Sequence, residues 1–240
     1  MSAIRRRSAP LAVLAAAALI ALSGCRAAPA DTGAPATLVQ ELAEQGPGAS
    51  PEASTARLAE QVLEGLPVRP RTEWDGPFDR KAAFGEGWTD PDGNGCDARN
   101  DALQEAMADE RLLGDGCRVD RGTFTDPYSG QTVPFQRGPQ SSERVQIDHV
   151  VALYNAWRTG ARDWSFEQRQ AFANDPINLQ ATLDWVNDEK KAQDASRWLP
   201  PDESYRCTYV ARQIAIKASY GLWVTRAEHD AMREVLDGCA

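Results

Sequence analysis

The sequence predicts an α+β fold for residues 67–240. Between residues 118 and 151, short runs rich in Val, Thr, Phe and Ile are separated by turn residues, which is typical of β-strands. Further along, Ser165 and Thr225 each begin the Ser/Thr-x-x-Glu/Gln pattern of a helix capping box. Strands that are followed mainly by helices indicate the α+β class, with the strands in small sheets.

The composition is that of a folded, acidic protein. Of its 240 residues, 42% are hydrophobic and seven are Trp, which is enough for one domain with a core. The formal net charge is -9. An acidic chain repels nucleic acid at long range, so any binding to phosphate must depend on a local group of cations or on a metal ion. A sequence-specific DNA reader is disfavoured.

The first residues form an export signal. Arg5 to Arg7 are a basic start, and Leu11 to Leu22 are an apolar run too short to span a bilayer comfortably. The run ends in Leu-Ser-Gly-Cys25, which resembles the lipobox of bacterial lipoproteins. We therefore expect a signal peptide over residues 1–25 and a fatty-acylated Cys25 that anchors the protein outside the cell membrane. The alternative is ordinary secretion, with Cys25 incidental.

Residues 26–66 are predicted to be a flexible tether. This segment is rich in Ala, Pro, Gly, Ser and Thr and contains no aromatic residue. Some helix is expected between Thr55 and Leu63. Such a tether would hold a domain at residues 67–240 away from a membrane.

The remaining cysteines are predicted to form two disulfides. Export places the chain in an oxidising compartment, where an even number of cysteines indicates disulfides. Four cysteines allow three pairings, and closeness in sequence favours Cys96–Cys117 and Cys207–Cys239. A zinc site is disfavoured because the chain has no C-x-x-C pair.

An acidic loop lies between Asp90 and Asp101. Its D-x-D-x-N-G spacing resembles the first half of a calcium-binding loop, with Asp101 at the twelfth position. The last ligand is Asp where such loops have Glu, and Cys96 holds the seventh position. Ca²⁺ binding is one interpretation, and a turn that caps a helix over Arg99–Arg111 is the other.

The remaining elements follow from local patterns. A hairpin is predicted from two strand-like runs on either side of the turn sequence Asp-Pro-Tyr-Ser-Gly. Helices begin at capping residues and end before Pro or Gly. The predicted strands are Arg118–Phe124, Gln131–Phe135, Gln146–Val151 and Ile177–Thr182. The predicted helices are Leu153–Arg158, Ser165–Ala173, Asp184–Ala195 with Asp184 as N-cap, Cys207–Tyr220, and one that starts at Thr225.

Chemistry is concentrated in residues 146–191. His149 follows Asp148 at the end of a predicted strand, and a neutral imidazole is a base near neutral pH. Asp148 and Asn187 offer oxygen ligands, which favour Mg²⁺ or Mn²⁺. Neighbouring residues of a strand point to opposite faces, so a bend or bulge must bring Asp148 and His149 to one site. The second histidine, His229, lies among charged residues and is expected to be exposed.

The order of these residues resembles that of a known family. A strand with Asp-His, a strand with Asn178 and a helix with Asn187 resemble the ββα-metal core of the HNH (His-Me finger) nucleases. The flanks resemble one group of secreted bacterial HNH proteins, similar to the C-terminal nuclease domain of the GmrSD restriction enzymes. The matching segments, from Val68 to Cys239, include G-C-D-A-R-N-D, D-P-Y-S-G, V-Q-I-D-H-V-V-A-L, F-A-N-D-P-I-N-L-Q-A-T, N-D-E-K-K and W-L-P-P.

The resemblance implies a fold and a reaction. The fold is a ββα-metal core with an N-terminal hairpin and surrounding helices. The protein would be an exported, metal-dependent endonuclease and a monomer, acting on DNA without sequence specificity. His149 would be the general base, oriented by Asn178, and Asp148 and Asn187 would hold Mg²⁺ or Mn²⁺. Many HNH motifs have His where this chain has Asn187, which weakens metal binding.

The resemblance also implies a set of phosphate contacts. Lys190 and Lys191 lie one turn beyond Asn187, where they would reach the DNA backbone. Arg144 and Arg99 either contact phosphate or pair with nearby Asp residues. Two alternatives stay open: a non-catalytic cell-surface binding module of the same fold, and a calcium-stabilised adhesin built around Asp90–Asp101.

Overall fold

The computed structural model describes residues 33–45, 51–73, 76–139 and 142–239. The predicted signal peptide and Cys25 lie outside the described residues. Among the described residues, no helix combines the length and the apolar character that a membrane span requires.

The described chain combines helices with two small antiparallel sheets, which confirms the α+β class. The sheets are β1-β2-β3 and β4-β5. The strands are β1 (Met107–Leu112), β2 (Val119–Thr125), β3 (Thr132–Gln136), β4 (Val145–His149) and β5 (Leu179–Leu183). The helices are α1 (Ala34–Gln45), α2 (Ala53–Gly65), α3 (Arg80–Phe84), α4 (Ala98–Ala106), α5 (Leu153–Arg158), α6 (Phe166–Asn174), α7 (Asp184–Lys190), α8 (Arg206–Ser219) and α9 (Arg226–Asp237).

The first sheet contains the predicted hairpin and one strand that the sequence did not reveal. The hairpin of β2 and β3 is confirmed. The helix predicted over Arg99–Arg111 is wrong beyond Ala106, because the chain continues as β1 and pairs with β2. Gly122 permits this pairing, since a Cβ there would lie 3.2 Å from the carbonyl oxygen of Ala108. Pairing with a distant strand overrides the local helical pattern.

The second sheet and the helix after it form the predicted strand–strand–helix order. β4 and β5 pair without a register shift from Val145 opposite Leu183 to His149 opposite Leu179. The helix predicted over Asp184–Ala195 is shorter than expected: α7 ends at Lys190, because the next residue takes a positive φ of 52°. Leu183, and not Asp184, occupies the N-cap position.

The expected flexible tether is wrong for its described part. Both α1 and α2 pack against α8 and contribute to the hydrophobic core. Leu38 and Leu42 in α1, and Ala59 and Leu63 in α2, are spaced four residues apart and buried. This spacing places them on one helix face. The domain therefore extends to α1, well before residue 67.

Both predicted disulfides are present. The Cα atoms of Cys96 and Cys117 are 5.3 Å apart, and those of Cys207 and Cys239 are 5.8 Å apart. The first bond joins the acidic loop to the connection between β1 and β2, and the second joins the beginning of α8 to the residues just after α9. The capping boxes at Ser165 and Thr225 are also confirmed.

Candidate active site

The strand β4 directs Asp148 and His149 to opposite faces. Successive side chains alternate along a strand, and the pairing of β4 with β5 contains no bulge. The Asp148 side chain accordingly meets Lys190 at the end of α7. The His149 ring meets the carbonyl group of Ala173 near the end of α6. The expected bend that would bring both side chains to one site is therefore wrong.

The carboxylate of Asp148 is buried, and each of its oxygen atoms accepts a hydrogen bond. Lys190 Nζ lies 2.9 Å from Oδ1, and the Tyr128 hydroxyl donates to Oδ2 at 2.9 Å. Asp148 is 5% exposed and Lys190 is 0% exposed. Burial raises the pKa of Asp148, while the Lys190 ammonium and the Tyr128 hydroxyl act in the opposite direction. Asp148 thus forms a buried ion pair, and both of its oxygen atoms have donors.

Tyr128 is a residue that the sequence analysis treated only as part of a turn. The turn is fixed by Asp126, which accepts hydrogen bonds from Ser129 and from Thr182 of β5. This anchoring holds the turn against β5 and places the Tyr128 ring in the core, where its hydroxyl reaches Asp148. The D-P-Y-S-G segment was the available signal, because it is one of the segments that carry the resemblance described from the sequence.

The His149 ring is held in one tautomer. Its Nε2 lies 2.8 Å from the Ala173 carbonyl oxygen. Because a carbonyl can only accept, Nε2 carries the proton and Nδ1 is the unprotonated, basic nitrogen. The ring stacks on Trp88 with centroids 5.8 Å apart and an interplanar angle of 8°.

The charge state of His149 follows from its surroundings. The ring is 7% exposed. Burial lowers the pKa of His149 to about 3, and the charges of Arg80 and Lys190 also lower it, whereas the bond to Ala173 raises it. His149 is therefore neutral at physiological pH.

The sequence N-D-P-I-N explains why two carbonyl groups are available at the end of α6. Pro176 has no N–H group with which to complete the helical bond to Phe172. The N–H group of Ile177 donates to the Asp175 side chain. The carbonyl groups of Phe172 and Ala173 are consequently free to accept side-chain donors. His149 takes the second of them.

Asn178 donates to the Phe172 carbonyl group. In the part of the chain that the structure describes, the expected hydrogen bond from Asn178 to the His149 ring is absent. Asn178 Nδ2 donates to the carbonyl groups of Phe172 and Val151, both at 3.4 Å, and its Oδ1 accepts from Val151 N at 2.8 Å. It is fully buried in a 3₁₀ turn over Pro176–Asn178, before β5 and not within the predicted strand. Asn178 thus fastens the chain after His149 to the end of α6.

Asp148, one of the two predicted metal ligands, does not fit a divalent ion. Asn187 donates through Nδ2 to Gln146 Oε1 at 2.7 Å, and the oxygen atoms of Asp148 are bound by Lys190 and Tyr128. A metal ion at Asp148 would have to lie beside the Lys190 ammonium group, which repels it. Among the described residues, no group of three or more His, Cys, Asp or Glu side chains is placed to hold a metal ion.

The acidic loop is a turn, as the second interpretation of its sequence proposed. The Asp90 carboxylate accepts backbone N–H groups from Gly93, Asn94 and Gly95. The bond from Gly95 is the main cause that lowers the pKa of Asp90. Asp97 caps α4 by accepting from Asn100 N. The carboxylate oxygens that calcium would need thus organise the loop, and the structure gives no support to the Ca²⁺ interpretation.

The predicted phosphate-binding residues separate into two groups. Lys191 is exposed, and so is Arg144. Lys190 is buried and out of reach of a nucleic acid, which corrects the prediction for it. Arg99 is also turned inward: its guanidinium lies 3.4 Å from the Val145 carbonyl oxygen, and burial lowers its pKa.

Lys191 lines a basic pocket of about 270 Å³. Arg71 and Arg158 line it together with Tyr154 and Asn155. The Nδ2 group of Asn155 is buried and has no hydrogen-bond partner among the described residues. Sequence reasoning missed Arg71 and Arg158, because the fold brings these cations together from distant segments.

His229 is buried, contrary to expectation. It is 4% exposed, and its Nδ1 lies 3.5 Å from Asp230 Oδ1. A signal was present in the sequence: His229, Met232 and Leu236 follow the helical spacing of a buried face, and all three are buried in α9.

Comparison with known proteins agrees with the resemblance. Residues 116–235 match the family model described as GmrSD restriction endonucleases, C-terminal domain. The chain is 37% identical over 191 residues to an uncharacterized secreted protein of Arthroderma benhamiae, a span that covers 79% of this chain and 88% of that relative. No solved structure matches the chain.

Proposed function

Because the chain belongs to the family of GmrSD restriction endonuclease C-terminal domains, we propose that it is an exported endonuclease that hydrolyses phosphodiester bonds in DNA. The observation that supports this most is the state of His149. Its Nε2 proton is committed to Ala173, and its burial keeps the ring neutral. Nδ1 is therefore unprotonated and held in a fixed orientation, and the negative charge of a bound phosphate would raise its low pKa toward the range of an effective base.

In the proposed reaction, His149 Nδ1 takes a proton from a water molecule as the water oxygen attacks phosphorus. The bond from phosphorus to the leaving oxygen breaks, and that oxygen takes a proton from solvent. The imidazolium that forms is stabilised by the Ala173 carbonyl group, which already favours the charged form, and by the negative phosphate beside it. General base catalysis of this kind contributes roughly 10²- to 10⁴-fold.

Cations near this centre would bind the DNA backbone. Arg80 is exposed and close enough to His149 to affect its pKa. Arg71, Arg158 and Lys191 line the basic pocket, in which Arg71 is paired with the buried Asp194. Contacts to phosphate carry no sequence information, so we propose binding that is sequence-tolerant and weakened by salt. The exposed cations Arg80 and Lys191 supply local positive charge on a chain whose net charge is -9.

A metal ion is not assigned a step in this reaction. Nucleases of this family generally depend on a divalent ion, and the sequence led us to expect Mg²⁺ or Mn²⁺. We assign no step to an ion held by Asp148 and Asn187, since both oxygen atoms of Asp148 accept hydrogen bonds from Lys190 and Tyr128. The remaining chemistry belongs to His149 and the surrounding cations.

The setting we propose is outside the cell. The Arthroderma benhamiae relative is named as a secreted protein, and two disulfides are typical of oxidising compartments. Attachment through a lipid on Cys25, and a monomeric state, are parts of the same proposal.

A non-catalytic binding module of the same fold is the second candidate. The observation that favours it is the buried Asp148–Lys190 pair, which commits the Asp148 carboxylate to a lysine. The two candidates differ in one outcome, since the module would bind DNA without cleaving it.

The deciding experiment is cleavage of supercoiled plasmid by the full chain, with DNA binding measured in parallel. We expect the wild-type protein to nick the plasmid and His149→Gln to lose roughly 10²- to 10⁴-fold in rate. His229→Gln is the matched control, a buried histidine in α9 whose replacement should leave cleavage intact. Binding without cleavage by the wild type would establish the module instead.

A further inference from the structure

Lys190 occupies an unusual position for a lysine. Its ammonium group is completely buried at the end of α7. It lies 2.9 Å from Asp148 Oδ1 and 2.8 Å from the carbonyl oxygen of His149. A buried charge is stable only when it is paired and hydrogen-bonded. Two oxygen atoms of β4 thus converge on one positive centre.

This arrangement resembles the oxygen surroundings of a metal ion. One carboxylate oxygen and one backbone carbonyl oxygen are donors that a hard divalent cation prefers. Here the cation is an ammonium group that belongs to the chain. A second cation within a few ångströms would be strongly repelled, so the ammonium group and a metal ion exclude each other.

We propose that Lys190 is a resident cation that takes the place of a divalent metal ion at Asp148. Asp148 is then the counter-ion of Lys190 and not a metal ligand. Because the ammonium group also bonds to the His149 carbonyl oxygen, Lys190 is a positioning residue for the backbone that carries the imidazole. The role of His149 rests on the proposed function, but the exclusion of metal does not.

The tyrosine hydroxyl supports this assignment. Tyr128 donates to the other oxygen of Asp148 at 2.9 Å, so the carboxylate has donors at both oxygens. The two donors come from separate parts of the chain, the hairpin turn and the end of α7. The centre is thereby complete without an added ion.

The experiment measures Mn²⁺ binding to the full chain without nucleic acid, by electron paramagnetic resonance. Four proteins are compared: wild type, Asp148→Asn, Lys190→Ala and the double variant. We expect wild type and Asp148→Asn to bind Mn²⁺ equally. Removal of the lysine should open the site, so Lys190→Ala should bind one more ion per chain, and the double variant should lose it again.

Thermal unfolding provides a second measurement. With Mn²⁺ about tenfold above its Kd, the Tm of Lys190→Ala should rise by roughly 3–6 °C. The Tm of the wild type should stay within about 1 °C on addition of Mn²⁺ or EDTA, since no ion is bound at Asp148. Neither measurement depends on cleavage, so they remain informative whether or not the chain is a nuclease.

Two results would overturn the proposal. One is a wild-type Mn²⁺ site that Asp148→Asn abolishes. The other is a folded Lys190→Ala protein that binds no additional ion. Should Lys190→Ala fail to fold, the comparison of wild type with Asp148→Asn still decides, because equal binding supports the resident cation and a loss refutes it.

Discussion

The two faces of β4 place adjacent residues in opposite chemical environments. On one face, Asp148 is an ion whose oxygen atoms are bound by Lys190 and Tyr128. On the other, His149 is a neutral ring that uses one nitrogen for a structural bond and keeps the second as a base. The difference teaches that neighbouring polar residues in a motif need not share a site.

The contrast also separates structural from chemical roles. A buried polar group whose donors and acceptors are all satisfied holds the fold together. A buried base with a fixed tautomer and an aromatic ring stacked on it is prepared for proton transfer. By these criteria we assign a stabilising role to the Asp148 face, and the proposed reaction to the His149 face.

The largest expected effect on stability comes from removing the Asp148 member of the Asp148–Lys190 ion pair. Asp148→Ala leaves the Lys190 ammonium buried without its counter-ion, so the free energy of unfolding should fall by roughly 3–5 kcal/mol. Asp148→Asn combined with Lys190→Met removes both charges and should cost clearly less. Urea unfolding measures both. Equal losses in the two proteins would show that the pair is not what stabilises this face.

The low pKa of His149 should make the free energy of unfolding depend on pH. The pKa of His149 is about 3 in the folded protein, below the value of about 6.5 for the unfolded chain. The unfolded chain therefore binds more protons at mildly acidic pH, and stability is lost as the pH falls below about 6.5. Between about pH 7 and pH 5, the wild type should lose roughly 2 kcal/mol more than His149→Gln. If the wild type and His149→Gln lose stability equally as the pH falls, His149 lies in a solvated environment.

The smallest effect is expected from the lysine next to Lys190. Lys191 is exposed in the basic pocket, so Lys191→Gln should weaken DNA binding by roughly threefold to tenfold and reduce the salt slope by about 1. Stability should hardly change, in contrast to changes at Lys190. Arg226→Ala, an exposed cation of α9 outside the pocket, is the control. Equal effects from Lys191→Gln and Arg226→Ala would argue against the pocket as a DNA contact.

Much of the fold was predictable because its signals are local. The capping boxes at Ser165 and Thr225, the hairpin turn and the strand–strand–helix order each depend on a few consecutive residues. The strand β1 was missed because only pairing with β2 reveals it. Helix was expected between Thr55 and Leu63, within α2. The helix α1 and the packing of both helices were missed, because their Ala-rich composition hid an apolar stripe that α8 covers.

The site was predictable in its residues but not in their partners. The sequence identified Asp148, His149, Asn178 and Asn187 as a group. It did not show that a regular strand separates the first two, or that Lys190 binds Asp148, since both facts depend on packing. The basic pocket was not visible because its cations are 87 and 33 positions apart in the chain.

The state of His149 is the central claim, and nitrogen NMR measures it directly. The chain has two histidines, so full-length His229→Gln labelled with ¹⁵N-histidine gives the signals of His149 alone. We predict a protonated Nε2 and an unprotonated Nδ1 that persist from neutral pH to about pH 4. A ring that titrates near pH 6.5, or one that carries its proton on Nδ1, would contradict the account.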